Sequence, residues 1–170
     1  MLDQIFRAWN PLDIKSTKDY FISLDDAKGY KTFFMLEKSG DDNFKVQDGF
    51  FYTGEDFPED FVLDKTSPIL KKLREDYKDK DDAFVFDKII GNLDAVLEGE
   101  GVVGGMAYPI FIDEELSGIL MVCTKNEAER KIPYESIYIE KDQKDFSEIC
   151  KKMSSILRIE RSHRLKDIFL

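Results

Sequence analysis

Residues 106–123 read Met-Ala-Tyr-Pro-Ile-Phe-Ile-Asp-Glu-Glu-Leu-Ser-Gly-Ile-Leu-Met-Val-Cys, which is an apolar segment, a short acidic turn and a second apolar segment. Each apolar segment has the length and composition of a β-strand, and the polar residues between them are typical of a turn. This stretch predicts one antiparallel hairpin of a sheet. An amphipathic, Lys-rich segment begins at Asp142 and predicts a helix that covers the hairpin.

The rest of the chain alternates predicted helices with predicted strands. We expect helices before Pro11 and over residues 17–28, strands over 31–38 and 44–53, a helix that begins at Ser67-Pro68, a strand over 83–86, and a helix with the apolar stripe Ile89, Ile90, Leu93, Val96 and Leu97. The strands connect mainly as hairpins. The order therefore predicts an α+β fold, a central antiparallel sheet with helices and a long C-terminal helix, rather than a βαβ parallel fold.

Composition restricts the class of function. The chain has 170 residues, which suits one domain, and its net charge of −10 argues against nonspecific nucleic-acid binding. No apolar stretch approaches membrane-spanning length, and the first residues do not form a signal peptide, so we expect no membrane contact and a cytoplasmic location. Cys123 and Cys150 stand far apart and are expected to be small buried hydrophobic residues rather than a disulfide framework.

Positive charge is concentrated at the end of the chain. The final helix carries six cations: Lys151, Lys152, Arg158, Arg161, Arg164 and Lys166. Two interpretations remain open. The cations form a solvated face that the helix dipole favours near the C-terminus, or they form a docking surface for an acidic protein partner.

Four segments, taken in order, resemble a GAF domain, a sensor module of the PAS/GAF type. They are the hairpin of residues 31–52, the helix 67–73 followed by the strand 84–86, the strands 107–111 and 116–120 with their acidic turn, and residues 139–142 ahead of Phe146 and Ile149. The resemblance covers residues 17–160. It divides one domain, residues 1–170, into an N-terminal helix and linker (1–16), a GAF-like core (17–160) and a helical tail (161–170).

The resemblance implies helices on both faces of the sheet, with the first and last helices on one side forming a dimer bundle. A small-molecule pocket, where a GAF domain has one, lies on the other side under the middle helices. The chain departs from three ligand-binding or catalytic subgroups of the family. Residues 124–127 do not reproduce the cyclic-nucleotide signature, and two isolated cysteines fit a methionine sulfoxide reductase poorly. Chromophore-binding members need a positioned Cys and usually a nearby His, whereas the one histidine here, His163, lies far down the last helix.

The residue pattern gives two sets of candidate residues. The candidate ligand-binding residues are aromatic or sulfur-containing and lie on predicted strands: Phe34, Phe84, Phe86, Met106, Tyr108, Met121 and Cys123. Alternation places Met106 and Tyr108 on one face of their strand and Ala107 and Phe111 on the other, but does not show which face meets a pocket. A core filled by side chains is the open alternative. The candidate homodimer residues are apolar and lie near the two chain ends: Leu2, Ile5, Phe6, Trp9, Ile156, Leu157 and Ile159.

No catalytic or metal-binding motif is found in the sequence. The paired carboxylates look like turn residues, and the glycine-rich residues 99–105 lack the Lys-Ser/Thr of a phosphate loop. Three hypotheses follow, and none names a cofactor. The first is a non-enzymatic sensor that binds an unidentified small molecule and dimerises through its terminal helices. The second is a protein-binding adaptor of the roadblock or longin type, and the third is a redox enzyme that uses Cys123.

Overall fold

The computed structural model describes residues 32–40, 42–53, 58 and 60–169. For residues 47–53, 129 and 156–169 it describes the backbone only. The strands are β1 (Thr32–Ser39), β2 (Asn43–Thr53), β3 (Val62–Leu63), β4 (Phe84–Asp87), β5 (Gly104–Ile112) and β6 (Glu115–Thr124). The helices are α1 (Pro68–Asp76), α2 (Ala95–Gly99) and α3 (Glu140–Phe169), with one 3₁₀ turn at Glu127–Glu129. The predicted helices before Pro11 and over residues 17–28 lie outside the described residues.

The described strands form one antiparallel sheet in the order β3-β2-β1-β6-β5-β4. β1 and β6 are therefore central, and β4 pairs with β5 on one side only. The predicted hairpin of residues 106–123 is confirmed as β5 and β6. Asp113 and Glu114 connect them with φ of 51° and 67°, and positive φ at both turn residues gives the twist that suits adjacent antiparallel strands.

The two faces of the sheet carry separate cores, as the resemblance implied. The α3 face packs Phe33, Met106, Tyr108, Leu120 and Val122 of the sheet against Phe146, Ile149, Cys150 and Met153 of α3. The α1/α2 face packs Phe34, Phe84, Phe86, Ala107, Met121 and Cys123 of the sheet against Ile69, Leu70 and Leu73 of α1 and Leu97 of α2. The alternation predicted for β5 is thus confirmed, and the fold is the α+β sheet with helices on both faces.

The helix predicted over Ile89–Leu97 is wrong for its first half. Ile89 and Ile90 are 46% and 59% exposed and lie in a turn closed by reciprocal backbone hydrogen bonds between Asp87 and Gly91. The Asp87 carboxylate also accepts the Ile89 N–H, so local hydrogen bonds compete with helix formation. Helix α2 begins only at Ala95, where the Asp94 carboxylate accepts the Val96 N–H as an N-cap.

The final helix begins at Glu140, two residues before the predicted start. The Asp142 carboxylate accepts the Ile139 N–H at 2.9 Å, which satisfies a donor at the helix N-terminus. Phe146, Ile149 and Met153 of this helix are buried against the sheet. Residues 135–139, which lead into the helix, are irregular.

Candidate functional site

Five of the seven candidate ligand-binding residues share the α1/α2 face. Phe34 lies on β1, Phe84 and Phe86 on β4, and Met121 and Cys123 on β6. Their exposed fractions are 4% or less. The structure thus brings these five side chains together as one enclosed cluster, bounded by the sheet below and by α1 and α2 above.

Met106 and Tyr108 belong to the opposite face. Both pack in the core under α3, because successive residues of a strand point to opposite sides of the sheet. The seven candidates therefore do not form one set, and Met106 and Tyr108 cannot line a cavity with the other five. The sequence pattern identified which residues alternate together on β5 but not which side of β6 and β4 they would match.

Aromatic contacts extend the α1/α2 cluster from the sheet to the helices. The Phe84 and Phe86 rings lie 6.3 Å apart, and Tyr77, at the end of α1, meets Phe84 edge-on at 5.5 Å. Phe34 meets Phe61 edge-on at 6.1 Å. Desolvation raises the pKa of the Tyr77 hydroxyl, so this group stays neutral and acts as an aromatic rather than an ionisable residue at neutral pH.

Gly105 gives Phe86 its place against the sheet. A Cβ atom at residue 105 would lie 2.4 Å from the Val122 carbonyl oxygen and 2.5 Å from Cζ of Phe86, closer than real Cβ contacts allow. The Phe86 ring therefore covers the backbone of β5 where a side chain would otherwise stand. This glycine belongs to the glycine-rich segment 99–105, of which residues 104 and 105 form the start of β5.

A buried polar contact joins the two helices above this cluster. The Ser67 hydroxyl donates to one oxygen of the Asp94 carboxylate, and the other oxygen accepts the Val96 N–H at 2.9 Å. Ser67 occupies the N-cap position of α1, as predicted, but its side chain makes no cap hydrogen bond. The hydroxyl instead connects the start of α1 to the start of α2.

On the α3 face, a buried ion pair holds the loop before α3 against β4. Arg130 Nη1 lies 2.9 Å from Asp87 Oδ1, and the two side chains are 6% and 0% exposed. The same nitrogen donates to the Glu135 carbonyl at 2.6 Å, and the Ile137 N–H donates to the other Asp87 oxygen at 3.3 Å. Arg130 Nη2 is buried and has no hydrogen-bond partner among the described atoms.

The sequence reasoning missed the residues of these polar contacts. Asp87, Arg130, Ser67 and Asp94 are ordinary polar residues in turns or at helix ends, and nothing in their spacing indicates burial. One signal was available for Asp87. It follows an apolar strand directly and precedes a Lys-Ile-Ile-Gly turn, where a carboxylate commonly accepts the N–H two residues on.

The two cysteines lie on opposite faces of the sheet. Cys123 lies in the α1/α2 cluster and Cys150 in the α3 cluster, and both are buried. Burial raises the pKa of the Cys150 thiol well above its ordinary value. The sheet stands between them, so they do not form a disulfide with each other in this fold. No group of three or more potential metal-ligating residues occurs among the residues that the structure describes.

The candidate dimer residues cannot be placed as a surface. Leu2, Ile5, Phe6 and Trp9 lie outside the described residues. Helix α3 contains Ile156, Leu157 and Ile159, and the structure describes only their backbone. Within the described part of the chain, no helix has the length and apolar character needed to cross a membrane.

No family model and no curated protein matches this sequence. Solved structures do match. The phycocyanobilin-bound GAF domain of a cyanobacterial phytochrome is 14% identical, with a TM-score of 0.66 over 95% of this chain and 92% of that one. The blue-light absorbing form of the PixJ GAF domain of Thermosynechococcus elongatus is 16% identical, with a TM-score of 0.61 over 92% and 90%.

A further match is the type II free methionine-R-sulfoxide reductase of Thermoplasma acidophilum, at 12% identity and a TM-score of 0.57 over 85% of this chain and 94% of that one. At these identities the similarity concerns the fold. The chain therefore has a GAF-like fold, in agreement with the resemblance found in the sequence, and the fold alone does not choose among the functions that these neighbours carry.

Proposed function

We propose that this chain is a non-enzymatic sensor module that binds a small molecule on the α1/α2 face and dimerises through its terminal helices. One observation carries the proposal. In a GAF-like fold, five aromatic or sulfur-containing side chains from three strands converge under two separate helices. Enclosed, mostly apolar sites with a few polar groups are the usual form of small-molecule sites.

The helices above the cluster support this choice of face. α1 and α2 have nine and five residues, and the Ser67–Asp94 hydrogen bond joins their starts. Helices this short depend on packing rather than on intrinsic stability. Apolar packing is non-directional, so the cluster has the means to repack around an apolar occupant. The phytochrome neighbour, whose GAF domain is bound to phycocyanobilin, shows that another protein of this fold holds a small molecule.

Native mass spectrometry of protein purified from its own host tests the ligand. We expect a mass excess at gentle settings that disappears at denaturing settings, and the same spectrum identifies the molecule and counts the subunits. A bare mass would contradict the sensor and favour the protein-binding adaptor. Protein from an unrelated expression host is the control, because an excess present in both would indicate a molecule that is not specific to this organism.

The non-enzymatic part of the proposal depends on the cysteines. The reductase neighbour keeps open a redox enzyme of this fold. In this chain the two cysteines lie on opposite faces of the sheet, and the Cys150 thiol stays protonated at neutral pH. A cysteine-based reductase needs a thiolate, and a second thiol in reach to resolve the oxidised form. Failure of the purified protein to reduce free methionine sulfoxide with a dithiol reductant is the expected result; turnover would overturn it.

Dimerisation rests on the length of α3 and on the apolar residues near the chain start. α3 has 30 residues, and Met153 is its last described residue in the sheet core. The helix backbone continues through Phe169, and a helix gains most of its stability from packing against a partner. A second copy supplies one when Leu2, Ile5, Phe6 and Trp9 pack beside the late residues of α3.

Light scattering after size-exclusion chromatography tests the dimer. The change is Phe6→Ser with Trp9→Ser, and we expect the dimer to dissociate at concentrations where the wild type is dimeric. Tyr134→Ser is the matched control, because Tyr134 is 86% exposed and lies outside the terminal segments. A wild-type chain that is monomeric at high concentration, or a dimer that only Tyr134→Ser weakens, would contradict the proposed interface.

A further inference from the structure

β4 contributes side chains to both faces of the sheet, as β1, β5 and β6 do. Among the described strands it lies at an edge and pairs with β5. Its Phe84 and Phe86 side chains lie in the α1/α2 cluster, while Val85 packs against the α3 core. Asp87, the next residue in the alternation, meets Arg130 and Ile137 of the segment that precedes α3. The strand therefore presents rings to the candidate ligand face and polar groups to the other side.

Two side chains of α3 hold the residue before β4. The Ala83 N–H donates to Ser147 Oγ at 2.8 Å, and the Ala83 carbonyl accepts from Gln143 Nε2 at 2.6 Å. Ser147 Oγ in turn donates to the Gln143 carbonyl. Ala83 is fully buried, so both of its backbone groups depend on these partners rather than on water.

The other end of β4 is held by the segment that leads into α3. Arg130 and the Ile137 N–H both bind the Asp87 carboxylate, and Glu140 begins α3 three residues after Ile137. This ion pair is almost fully buried, so the attraction is little screened by salt and the geometry is closely defined. β4 is thus attached to α3 or its lead-in at both ends.

We infer that β4 is the mechanical link through which a change on the α1/α2 face reaches α3, an inference that rests on the proposed sensor function. An occupant that displaces the Phe84 and Phe86 rings moves a strand whose ends are fixed to α3 and its lead-in. β1 offers a contrast in its pairing. Phe34 contributes to the same cluster and Phe33 meets Phe146 of α3 edge-on at 6.5 Å, but β1 is paired on both sides, with β2 and β6. The sheet therefore resists displacement of Phe34 more than displacement of Phe86.

Hydrogen exchange on two matched variants tests the link without a ligand. Phe86→Leu and Phe34→Leu make the same change at two fully buried rings of one cluster. We measure amide exchange over residues 137–150 and correct it for the change in global unfolding free energy that urea denaturation gives for each variant. If the Phe86 site is coupled to residues 137–150 with an energy typical of residues in contact, Phe86→Leu raises the corrected exchange there about tenfold more than Phe34→Leu does.

A second experiment tests whether the hydrogen bonds to Ala83 transmit the effect of Phe86→Leu. In a Gln143→Ala, Ser147→Ala background, the effect of Phe86→Leu on residues 137–150 is expected to shrink. Equal effects of Phe86→Leu and Phe34→Leu, or an undiminished effect of Phe86→Leu in that background, would overturn the inference. If Phe86→Leu does not fold, Phe84→Leu replaces it, since Phe84 lies on the same strand in the same cluster and is 4% exposed. Because no ligand is used, a negative result here leaves the mass-spectrometric test of the sensor untouched.

Discussion

Both faces of the sheet have an apolar core, but they differ in the polar contacts that join the sheet to its helices. On the α3 face, side chains form directional contacts at defined positions: Arg130 with Asp87, Ser147 and Gln143 with Ala83, and Thr124 with Tyr138 at 2.8 Å. On the α1/α2 face, apolar side chains dominate the contact between helices and sheet, and the Ser67–Asp94 hydrogen bond joins one helix to the other.

This difference in contacts gives the two faces different tolerance of rearrangement. Buried polar contacts fix one geometry, since a partner that moves leaves a desolvated group unpaired. Apolar packing fixes volume and tolerates rearrangement at lower cost. We therefore expect the α3 face to act as the rigid side of the domain and the α1/α2 face to act as the side that changes. The following predictions test that contrast, in order of decreasing effect.

The largest effect is expected from breaking the buried ion pair. Asp87→Ala leaves the Arg130 guanidinium buried without its carboxylate, which should cost about 3–5 kcal/mol of unfolding free energy. Asp94→Ala, on the other face, removes a carboxylate that has no described ion pair, and should cost about 2 kcal/mol through the lost N-cap and the lost Ser67 hydrogen bond. Urea unfolding of both variants measures the difference, and an equal or larger loss in Asp94→Ala would contradict the contrast.

A double variant separates the pair from its parts. Asp87→Ala combined with Arg130→Met removes both charges, and recovery of most of the lost stability would show that the unpaired cation was the cause. If the double variant is no more stable than Asp87→Ala, the loss comes from the hydrogen bonds that the Asp87 carboxylate accepts from the Ile89 and Ile137 N–H groups.

The next effect concerns the close packing of Phe86. Gly105→Ala places a methyl group against both the Val122 carbonyl oxygen and the Phe86 ring, and the strain should lower unfolding free energy by about 1–3 kcal/mol. Gly99→Ala is the matched control, because a Cβ there meets nothing within 4 Å, and the change should be neutral or stabilising. Equal stability of Gly105→Ala and Gly99→Ala in thermal unfolding would contradict the close packing of β6 and Phe86 around Gly105.

Ser67→Ala should have a smaller effect. It removes the donor that joins α1 to α2 and leaves one Asp94 oxygen without that partner, so we expect a loss of about 1 kcal/mol. Ser155→Ala is the control, because that hydroxyl is exposed and bonds only the Lys151 carbonyl among the described contacts. Chemical denaturation that gives both variants the same midpoint would exclude a role for the Ser67 contact.

The least perturbing prediction needs no substitution. Burial raises the pKa of the Cys150 thiol, so at pH 8 this thiol should react with an aromatic disulfide reagent only as fast as the protein opens. A raised pKa stabilises the fold below the ordinary value of 9.0, and this contribution is lost as the pH rises toward the higher folded value. Cys150→Ala should remove one slow thiol and flatten the alkaline loss of stability; a fast Cys150 would contradict its burial.

Much of the sheet could be predicted because its signals are local. The alternation in residues 106–123 and the acidic turn at Asp113 predicted β5 and β6. Ser67-Pro68 predicted the start of α1. The stripe at Ile89–Leu97 predicted one helix, but its first half is a turn and α2 begins only at Ala95. In the turn, the Asp87 carboxylate accepts the Ile89 N–H and the Asp87 and Gly91 backbones bond each other, and these bonds compete with helix formation.

The candidate site was only partly predictable. Alternation correctly grouped residues within β5, but the register between strands decides that Met121 and Cys123 share a face with Phe86 while Met106 does not. The polar links at Asp87 and Ala83 join residues 43 and 64 positions apart in sequence, and nothing local marks such pairs. The register between strands and the contacts between residues distant in sequence depend on the tertiary fold, so local sequence patterns do not predict them.

Neighbouring residues of β6 allow the most direct test of the central claim, that the α1/α2 face is the binding face. Met121 and Leu120 are both fully buried and point to opposite faces. The measurement is native mass spectrometry of wild type, Met121→Phe and Leu120→Phe purified from the protein's own host, with circular dichroism to confirm that each variant is folded. The account predicts a ligand mass excess in wild type and Leu120→Phe that falls in Met121→Phe. No excess in the wild type, or a loss confined to Leu120→Phe, would contradict it.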